Sequence, residues 1–258
     1  MPHPSVILFD LDDTLFAHRA SVEAAAAVTL QSIAPDLDHD TVRAEVTRWN
    51  ELEEHHYHRY LSGELDYLGQ RRARARDFVA PYDVDLADDS AAEQWFEQYL
   101  HGYRDAWILH DDALPALDAL GTEWPGVRFG IITNGDLDFQ LDKIGFLEIG
   151  DRFDHIVASG DFGITKPDAR IFEHAVGLFG VGVGDCVYVG DRLRTDPIGA
   201  ARAGLTGVWI DRSGDGVPDA DAAEVEELGI IRITDLGILT GALRDADDRG
   251  VPASVDAE

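Results

Sequence analysis

Short apolar runs recur along this chain, and segments with helical spacing separate most of them. The first run, Val6-Ile7-Leu8-Phe9, is continuously apolar, which is the pattern of a strand buried on both faces. Further runs of this kind lie at Val127–Ile132, His155–Ala158, Cys186–Val189, Gly207–Ile210 and Gly229–Ile233. Short apolar strands that alternate with helices predict a parallel sheet covered by helices on both faces. We therefore predict an α/β fold with a three-layer core.

Between the first and second predicted strands the pattern changes to Ala-rich and charged segments. Four of them have helical spacing, at Ala20–Ile33, Thr41–Tyr60, Glu64–Phe78 and Ser90–Ala106. Proline and Ser-Gly breakers separate these helices. We predict a helical bundle at 16–106, inserted into a core domain formed by 1–15 and 107–243. The acidic tail at 244–258 has too little apolar content to pack, so we expect it to fray.

The charge balance is strongly acidic. The 258 residues contain 21 Lys and Arg against 50 Asp and Glu, a formal net charge of −29. Only Lys143 and Lys166 are lysines, and every other strongly basic residue is arginine. This composition resembles that of proteins from a salt-loaded cytoplasm, where a Debye length of about 3 Å near 1 M salt screens the repulsion. We predict a halophilic protein that needs high ionic strength to fold.

The same composition argues against several classes of function. A chain this acidic has no broad basic face for a nucleic acid polymer, and we interpret the one basic run, Arg71–Arg76, as a solvated helix face. No apolar stretch approaches the roughly 18 residues of a membrane span. The N-terminus lacks the basic region of a secretory signal, so we expect a cytoplasmic protein, either a monomer or a homodimer. The single cysteine, Cys186, is interpreted as a small buried apolar residue.

Polar residues follow several of the predicted strands at the point where each strand ends. They are Asp10 and Asp12, Thr133 and Asn134, Lys166, and Asp191 and Asp196. Ligands of open parallel sheets bind at the carboxyl ends of the strands, so these side chains are expected to converge. Several carboxylates, one hydroxyl, one amide and one lysine are the groups needed to bind a phosphate and a divalent cation with oxygen ligands.

Each of these features alone has an ordinary structural explanation. Paired aspartates and Gly190-Asp191 are common in turns, and Lys166-Pro167-Asp168 is typical of a loop entering a helix. Asp196-Pro197 fits a helix N-cap followed by proline at the first helical position. All of these segments follow predicted strands, one after another along the chain, and this order favours one shared site.

In combination, four segments resemble the motifs of the haloacid dehalogenase-like superfamily of hydrolases. They are Asp10-Leu11-Asp12-Asp13-Thr14-Leu15, Ile132-Thr133-Asn134-Gly135, Lys166-Pro167-Asp168, and Val189-Gly190-Asp191 continuing through Asp196. The resemblance covers about residues 5–240 and implies a Rossmann-like core with a helical cap between the first two motifs. Ala169 and Pro197 depart from the family's pattern at positions that are not expected to touch the chemistry.

The resemblance implies a Mg²⁺-dependent phosphatase. Asp10 is then the nucleophile that forms an aspartyl-phosphate, and Asp12 protonates the leaving oxygen and later activates water. Dehalogenating members lack the second aspartate because a halide leaves without a proton, so Asp12 favours phosphoryl chemistry. A phosphomutase would keep this aspartate. A phosphomutase, a dehalogenase and a non-catalytic phosphate-binding protein therefore remain as alternatives.

The resemblance also implies the residues that bind phosphate and metal. The phosphate-binding residues are Thr133, Asn134 and Lys166. The Mg²⁺ ligands are Asp10, the backbone carbonyl of Asp12, and Asp191. Asp196 is expected to support the metal ligands or Lys166. A carboxylate that attacks an anionic phosphate needs such cations, because they offset the repulsion between the two.

Specificity is expected to lie in the helical cap. Candidate substrate contacts are Trp49, Tyr57, Arg59, Tyr60 and the arginines from Arg71 to Arg76. The tract His55-His56-Tyr57-His58 suggests a second metal site, but we favour surface or core histidines. The expected partner is a small phosphorylated metabolite, either a nucleoside monophosphate or a sugar phosphate. The sequence does not choose between these two.

Overall fold

The computed structural model describes residues 3–248, which form two compact units. His18–Ile108 is a helical unit, and the segments before and after it form an α/β unit. The predicted boundaries were 15/16 and 106/107, and the observed change of unit falls at 17/18 and 108/109. Within residues 3–248, none of the helices is both long and apolar enough to cross a membrane.

A six-stranded parallel sheet forms the centre of the α/β unit, in the order β3-β2-β1-β4-β5-β6. Its strands are β1 Val6–Phe9, β2 Arg128–Thr133, β3 His155–Ala158, β4 Cys186–Gly190, β5 Thr206–Ile210 and β6 Ile231–Ile233. The central strand β1 pairs with β2 and β4, so Phe9 lies beside Ile131 on one side and Val189 on the other. All four residues of β1 are buried, as expected for a strand covered on both faces. The predicted α/β fold with a parallel sheet is confirmed.

The helical unit consists of four helices. They are α1 His18–Ile33, α2 His39–Leu61, α3 Tyr67–Val79 and α4 Asp89–Asp105. Helix α1 packs against α2 and α4, and α3 packs against the same two helices. An aspartate at the N-cap begins each of the last three: Asp38, Asp66 and Asp88 each accept a hydrogen bond from a first-turn N–H. Part of the acidic excess therefore serves to start helices.

The remaining helices all belong to the α/β unit. They are α5 Ala113–Glu123, α6 Leu137–Phe146, α7 Ser159–Phe162, α8 Ala169–Phe179, α9 Gly199–Arg202, α10 Ala222–Glu227 and α11 Leu239–Asp248. Short 3₁₀ turns lie at Gly150–Arg152, Val183–Asp185 and Leu236–Ile238, and a π-turn lies at Arg194–Ile198. Helix α8 buries one apolar face, including Ile171 and Phe172, in a cluster that also contains Leu8 of β1. This packing holds the central strand in place from one side.

The expected fraying from residue 244 onward does not hold for residues 244–248. Helix α11 continues through them to Asp248, with Leu243 and Ala246 buried. Arg244 also forms an ion pair with Glu123 of α5. Two buried side chains on one face are enough to dock an amphipathic last helix, even though its overall composition is polar. The remainder of the predicted tail lies outside the described residues.

Candidate active site

The end of β1 places a buried carboxylate beside a buried lysine. Asp10 follows β1 directly, and its main-chain N–H donates to the Val189 carbonyl at 2.8 Å. Its side chain accepts a hydrogen bond from Lys166 Nζ at 2.6 Å, and the residue is only 6% exposed. Lys166 Nζ also donates to Asp196 Oδ1 at 2.6 Å and to the Tyr188 hydroxyl at 2.7 Å. One ammonium therefore joins two carboxylates that come from different parts of the chain.

The carboxylates at this edge of the sheet disfavour one another's ionised form. Burial raises the pKa of Asp10 to about 7, with the charges of Asp196 and Asp12 adding to the rise and Lys166 opposing it. Burial by itself would lower the pKa of Lys166. The negative charges of Asp10 and Asp196 together have the larger opposite effect, so the pKa of Lys166 lies above its ordinary value. Lys166 therefore stays a cation. The site holds more negative charge than this one cation balances.

Asp196 lies against Lys166 and does not cap a helix. Its Oδ1 accepts from Lys166, and its Oδ2 accepts from the main-chain N–H of Arg192 at 2.9 Å. The side chain fits because Gly190 has none: a Cβ there would lie 2.5 Å from the Cβ of Asp196. Pro197 lies inside the π-turn at Arg194–Ile198. The alternative explanation of Asp196-Pro197 as an N-cap and first helical turn is therefore wrong.

The Asp191 carboxylate is the clearest indication of a cation-binding site. It follows β4, and its Oδ1 is buried with no hydrogen-bond partner among residues 3–248. Burial, followed by the charges of Asp10 and Asp196, raises its pKa well above the ordinary range. Asp10, Asp191 and Asp196 each offer an oxygen, and these oxygens lie within 4.8 Å of one another. Such a set of oxygen donors fits a hard divalent cation such as Mg²⁺.

The three carboxylates are not equally available to a cation. Both oxygens of Asp196 already accept N–H groups, from Lys166 and from the main chain of Arg192. Asp10 has one oxygen on Lys166, and Asp191 has the orphaned Oδ1. The donor set therefore favours Asp10 and Asp191 as metal ligands, with Asp196 holding Lys166.

Thr133, the last residue of β2, and Asn134, the residue after it, have different contacts. Thr133 is buried, and its hydroxyl accepts a hydrogen bond from Gln140 Nε2 at 2.9 Å, which leaves the hydroxyl proton able to donate to an anion. Asn134 Nδ2 donates to the Lys166 carbonyl at 3.0 Å, and Asn134 Oδ1 accepts from the Lys166 N–H at 2.8 Å. The Asn134 side chain thus fixes the main chain that carries Lys166. Its predicted contact with phosphate stays a prediction.

Asp12 has two neighbours that the motif analysis missed. Lys143 Nζ donates to Asp12 Oδ1 at 2.5 Å, and Gln140 Nε2 donates to Asp12 Oδ2 at 3.1 Å. Both residues lie on helix α6, three positions apart and therefore on one face. A signal was available, because Lys143 is one of only two lysines in the chain and the other was already assigned to the site. Its carboxylate partner could not be read from spacing.

The predicted substrate contacts in the helical unit mostly have structural partners there. Trp49 is fully buried, with Phe78, Trp95, Phe96 and Tyr99 around it. The run Arg71–Arg76 is not simply a solvated face, because Arg74 is buried and paired with Glu53. The Arg74 guanidinium packs against the rings of Trp49 and Phe96, which stabilises it in a buried position. The polar sequence around Arg74 does not reveal this packing.

The histidine tract does not form a metal site among the described residues. His56 is buried and contacts Asp77 Oδ2 at 2.8 Å, and His58 lies 3.8 Å from Glu54. The groups in residues 3–248 that can jointly hold a metal are those of Asp10, Asp191 and Asp196. The interpretation of these histidines as core or surface residues agrees with their contacts.

Comparison with known proteins agrees with this geometry. A family model described as a haloacid dehalogenase-like hydrolase matches residues 4–204. The glyceraldehyde 3-phosphate phosphatase of Pyrococcus abyssi is 30% identical over 209 residues, which are 80% of this chain and 80% of that protein. The ribulose-1,5-bisphosphate 5-phosphatase of Halopiger xanaduensis is 29% identical over 250 residues, which are 92% of this chain and 98% of that protein.

A solved structure shows the same fold. The HAD-hydrolase YfnB from Bacillus subtilis superposes on this chain with a TM-score of 0.71 at 20% identity. The superposition covers 94% of this chain and 99% of the other. At this level of identity the likeness concerns the fold alone.

Proposed function

This chain belongs to the haloacid dehalogenase-like hydrolases and acts on small phosphoric monoesters, and we propose that it does so as a Mg²⁺-dependent phosphatase through an aspartyl-phosphate on Asp10. The observation that carries the proposal is the buried Asp10 carboxylate, held 2.6 Å from Lys166 Nζ with Asp191 beside it. A nucleophile among cations can approach an anion that it would otherwise repel.

The first half of the proposed reaction transfers the phosphoryl group to Asp10. A carboxylate oxygen of Asp10 bonds to phosphorus while the bond from phosphorus to the leaving oxygen breaks. The leaving oxygen takes the bonding electron pair and a proton from the carboxyl group of Asp12. Lys166 and the Thr133 hydroxyl neutralise and orient the phosphoryl oxygens.

The second half hydrolyses the intermediate. The Asp12 carboxylate removes a proton from water as the water oxygen bonds to phosphorus. The bond between phosphorus and Asp10 breaks, and its electron pair returns to the Asp10 carboxylate. Inorganic phosphate is the product.

Mg²⁺ would be held by Asp10, Asp191 and the backbone carbonyl of Asp12. It would supply positive charge against the phosphate and the crowded carboxylates. Support comes from the orphaned Oδ1 of Asp191 and from the raised pKa values of Asp10 and Asp191, which a nearby cation would lower. Asp196 serves this arrangement through Lys166.

For the substrate we propose a phosphorylated sugar, in preference to a nucleoside monophosphate. The preference rests on the relatives named as glyceraldehyde 3-phosphate phosphatase and ribulose-1,5-bisphosphate 5-phosphatase. The helical unit is proposed to act as the cap that selects the leaving group. We do not propose a phosphomutase, a dehalogenase or a non-catalytic binding protein, because Asp12 disfavours a dehalogenase and the relatives are named as phosphatases.

The proposal is tested by replacing the nucleophile. Release of phosphate from p-nitrophenyl phosphate and from a panel of sugar phosphates is measured with Mg²⁺ in molar KCl. Asp10→Asn is expected to lower kcat by about 10⁴-fold or more, because no other residue takes over the covalent step. Asp219→Asn, which removes the same charge from an exposed position, is the matched control and should keep full activity. Wild-type turnover that survives Asp10→Asn would refute the proposal.

The net charge of −29 supports a second proposal, that folding requires high salt. Mutual repulsion of the carboxylates opposes the compact state, and it weakens as salt shortens the Debye length from about 8 Å to about 3 Å. Circular dichroism in dilute buffer with EDTA is expected to show an unfolded chain that recovers its helices in molar KCl. A cooperative fold in dilute buffer would contradict this.

A further inference from the structure

Lys143 is a buried cation that the proposed reaction does not yet use. The residue is 1% exposed, and its ammonium lies 4.5 Å from the ring centroid of Phe16 and 5.5 Å from that of Phe139. Both rings lie within cation–π distance of the ammonium. The chain uses arginine for nearly all its positive charge, yet both of its lysines are buried against carboxylates of the first motif. This pattern indicates a specific task for the compact ammonium group.

Gln140 donates a hydrogen bond to the Asp12 carboxylate oxygen that Lys143 does not contact. Its Nε2 joins Asp12 Oδ2, at 3.1 Å, to the Thr133 hydroxyl, at 2.9 Å. Space for this side chain depends on Gly135, where a Cβ would lie 2.8 Å from Gln140 Nε2. Gln140 therefore links the residue that is to bind phosphate with the residue that is to move the proton.

Asp12 needs such support more than Asp10 does. The Asp12 side chain is 31% exposed, so burial alone does not fix its rotamer. Lys143 and Gln140 each donate to one of its two oxygens, and both donors come from the same helix. A base held in one orientation acts at much higher effective concentration than a mobile one.

We propose that Gln140 and Lys143 are positioning residues that orient the Asp12 carboxylate for hydrolysis of the aspartyl-phosphate. The inference rests on the proposed function. In the step concerned, Asp12 removes the proton of the attacking water, and the electron pair of the breaking bond returns to Asp10. Loss of the positioning residues should therefore slow release of phosphate from the enzyme.

The test uses p-nitrophenyl phosphate, whose leaving group departs without a proton. Formation of the phosphoenzyme, reported by kcat/KM, then needs no acid, whereas its hydrolysis still needs Asp12 as base. For Lys143→Met, rapid quench is expected to show phosphoenzyme accumulating and its hydrolysis slowed about 10²-fold. We expect kcat and KM to fall together, so that kcat/KM stays within about threefold of the wild type.

Three further variants separate positioning from folding. Lys143→Arg keeps the charge on a bulkier group, so it should recover hydrolysis only in part, to within about tenfold of the wild type. Gly135→Ala leaves both donors in the chain but displaces Gln140, and should slow hydrolysis by about tenfold. Leu141→Met, an exposed position on the same helix, is the matched control and should behave as wild type. Circular dichroism in molar KCl verifies that each variant is folded, and Gly135→Ala carries the test if Lys143→Met is not.

Two outcomes would overturn the inference, and they differ from failure of the proposed function. A Lys143→Met phosphoenzyme that hydrolyses at the wild-type rate shows that Asp12 needs no such support. A fall in kcat/KM as large as the fall in hydrolysis rate shows a general distortion of the site. Wild-type turnover that survives Asp10→Asn would instead refute the proposed function, and the inference with it.

Discussion

Two buried cations, Lys166 in the α/β unit and Arg74 in the helical unit, have contrasting surroundings. Lys166 contacts two carboxylates and a tyrosine hydroxyl. Arg74 pairs with Glu53 and lies among aromatic rings, 4.7 Å from the ring centroid of Trp49 and 4.8 Å from that of Phe96. Around Lys166 negative charge exceeds positive charge, whereas Arg74 is matched by one partner. The excess of negative charge around Lys166 favours the binding of a cationic ligand, whereas the Arg74–Glu53 pair connects two helices.

The same difference appears in the pKa values. Burial and neighbouring carboxylates raise the pKa of Asp10 to about 7 and that of Asp191 well above its ordinary range. The described part of the helical unit has no comparable group of three converging carboxylates. Crowded like charges are costly unless a ligand relieves them, so this contrast separates a site from a structural ion pair.

The largest effect is expected from Lys166→Met. Asp10 and Asp196 would lose their shared cation, so kcat/KM for p-nitrophenyl phosphate should fall by about 10³-fold or more. The free energy of unfolding, measured in urea with molar KCl, should fall by about 3–5 kcal/mol because buried charge is left uncompensated. Activity within tenfold of the wild type would mean that Lys166 is only a structural cation.

Asp191→Asn should act through the metal. The variant replaces a charged oxygen ligand by a neutral amide, so half-maximal activity should need about 10- to 100-fold more Mg²⁺. Titration of activity and calorimetry with Mg²⁺ measure the change, and Asp219→Asn is again the control. An unchanged Mg²⁺ requirement would remove Asp191 from the metal site.

Arg74→Met should lower stability and spare catalysis. Glu53 would lose its ion pair with Arg74 while staying partly exposed, so the free energy of unfolding should fall by about 2 kcal/mol and kcat should stay within about threefold. Urea unfolding and steady-state kinetics in molar KCl test both parts. A large loss of kcat/KM at unchanged stability would restore the prediction that this arginine contacts substrate.

The smallest effect concerns pH in the absence of metal. The pKa of Asp10 is about 7 in the folded protein against an ordinary value of 3.8, so the folded state binds this proton more tightly than the unfolded chain does. The contribution of Asp10 to stability is therefore most favourable below pH 4 and declines as pH rises towards 7. In EDTA and molar KCl, the melting temperature of the wild type should decline relative to Asp10→Asn over this range. Mg²⁺ should reduce the difference, and parallel curves would contradict the raised pKa.

Much of the site could be predicted from the order of elements. Asp10 and Asp191 follow β1 and β4, and Thr133 is the last residue of β2; these three neighbouring strands have their carboxyl ends at one edge of the sheet. Parallel pairing alone brings such residues together. Asn134 shows the limit, because its amide holds the main chain of Lys166, and no local pattern reveals a hydrogen bond across 32 positions.

The sequence by itself determined the alternation of strands and helices, the inserted helical bundle and the set of residues at the sheet edge. These follow from local periodicity and from the rule that parallel strands end on one side. Only the tertiary structure decided which charges are paired: Lys143 with Asp12, Lys166 with Asp10 and Asp196, and Arg74 with Glu53. Pairing depends on distances between atoms far apart in the chain and on burial, and neither is encoded in spacing.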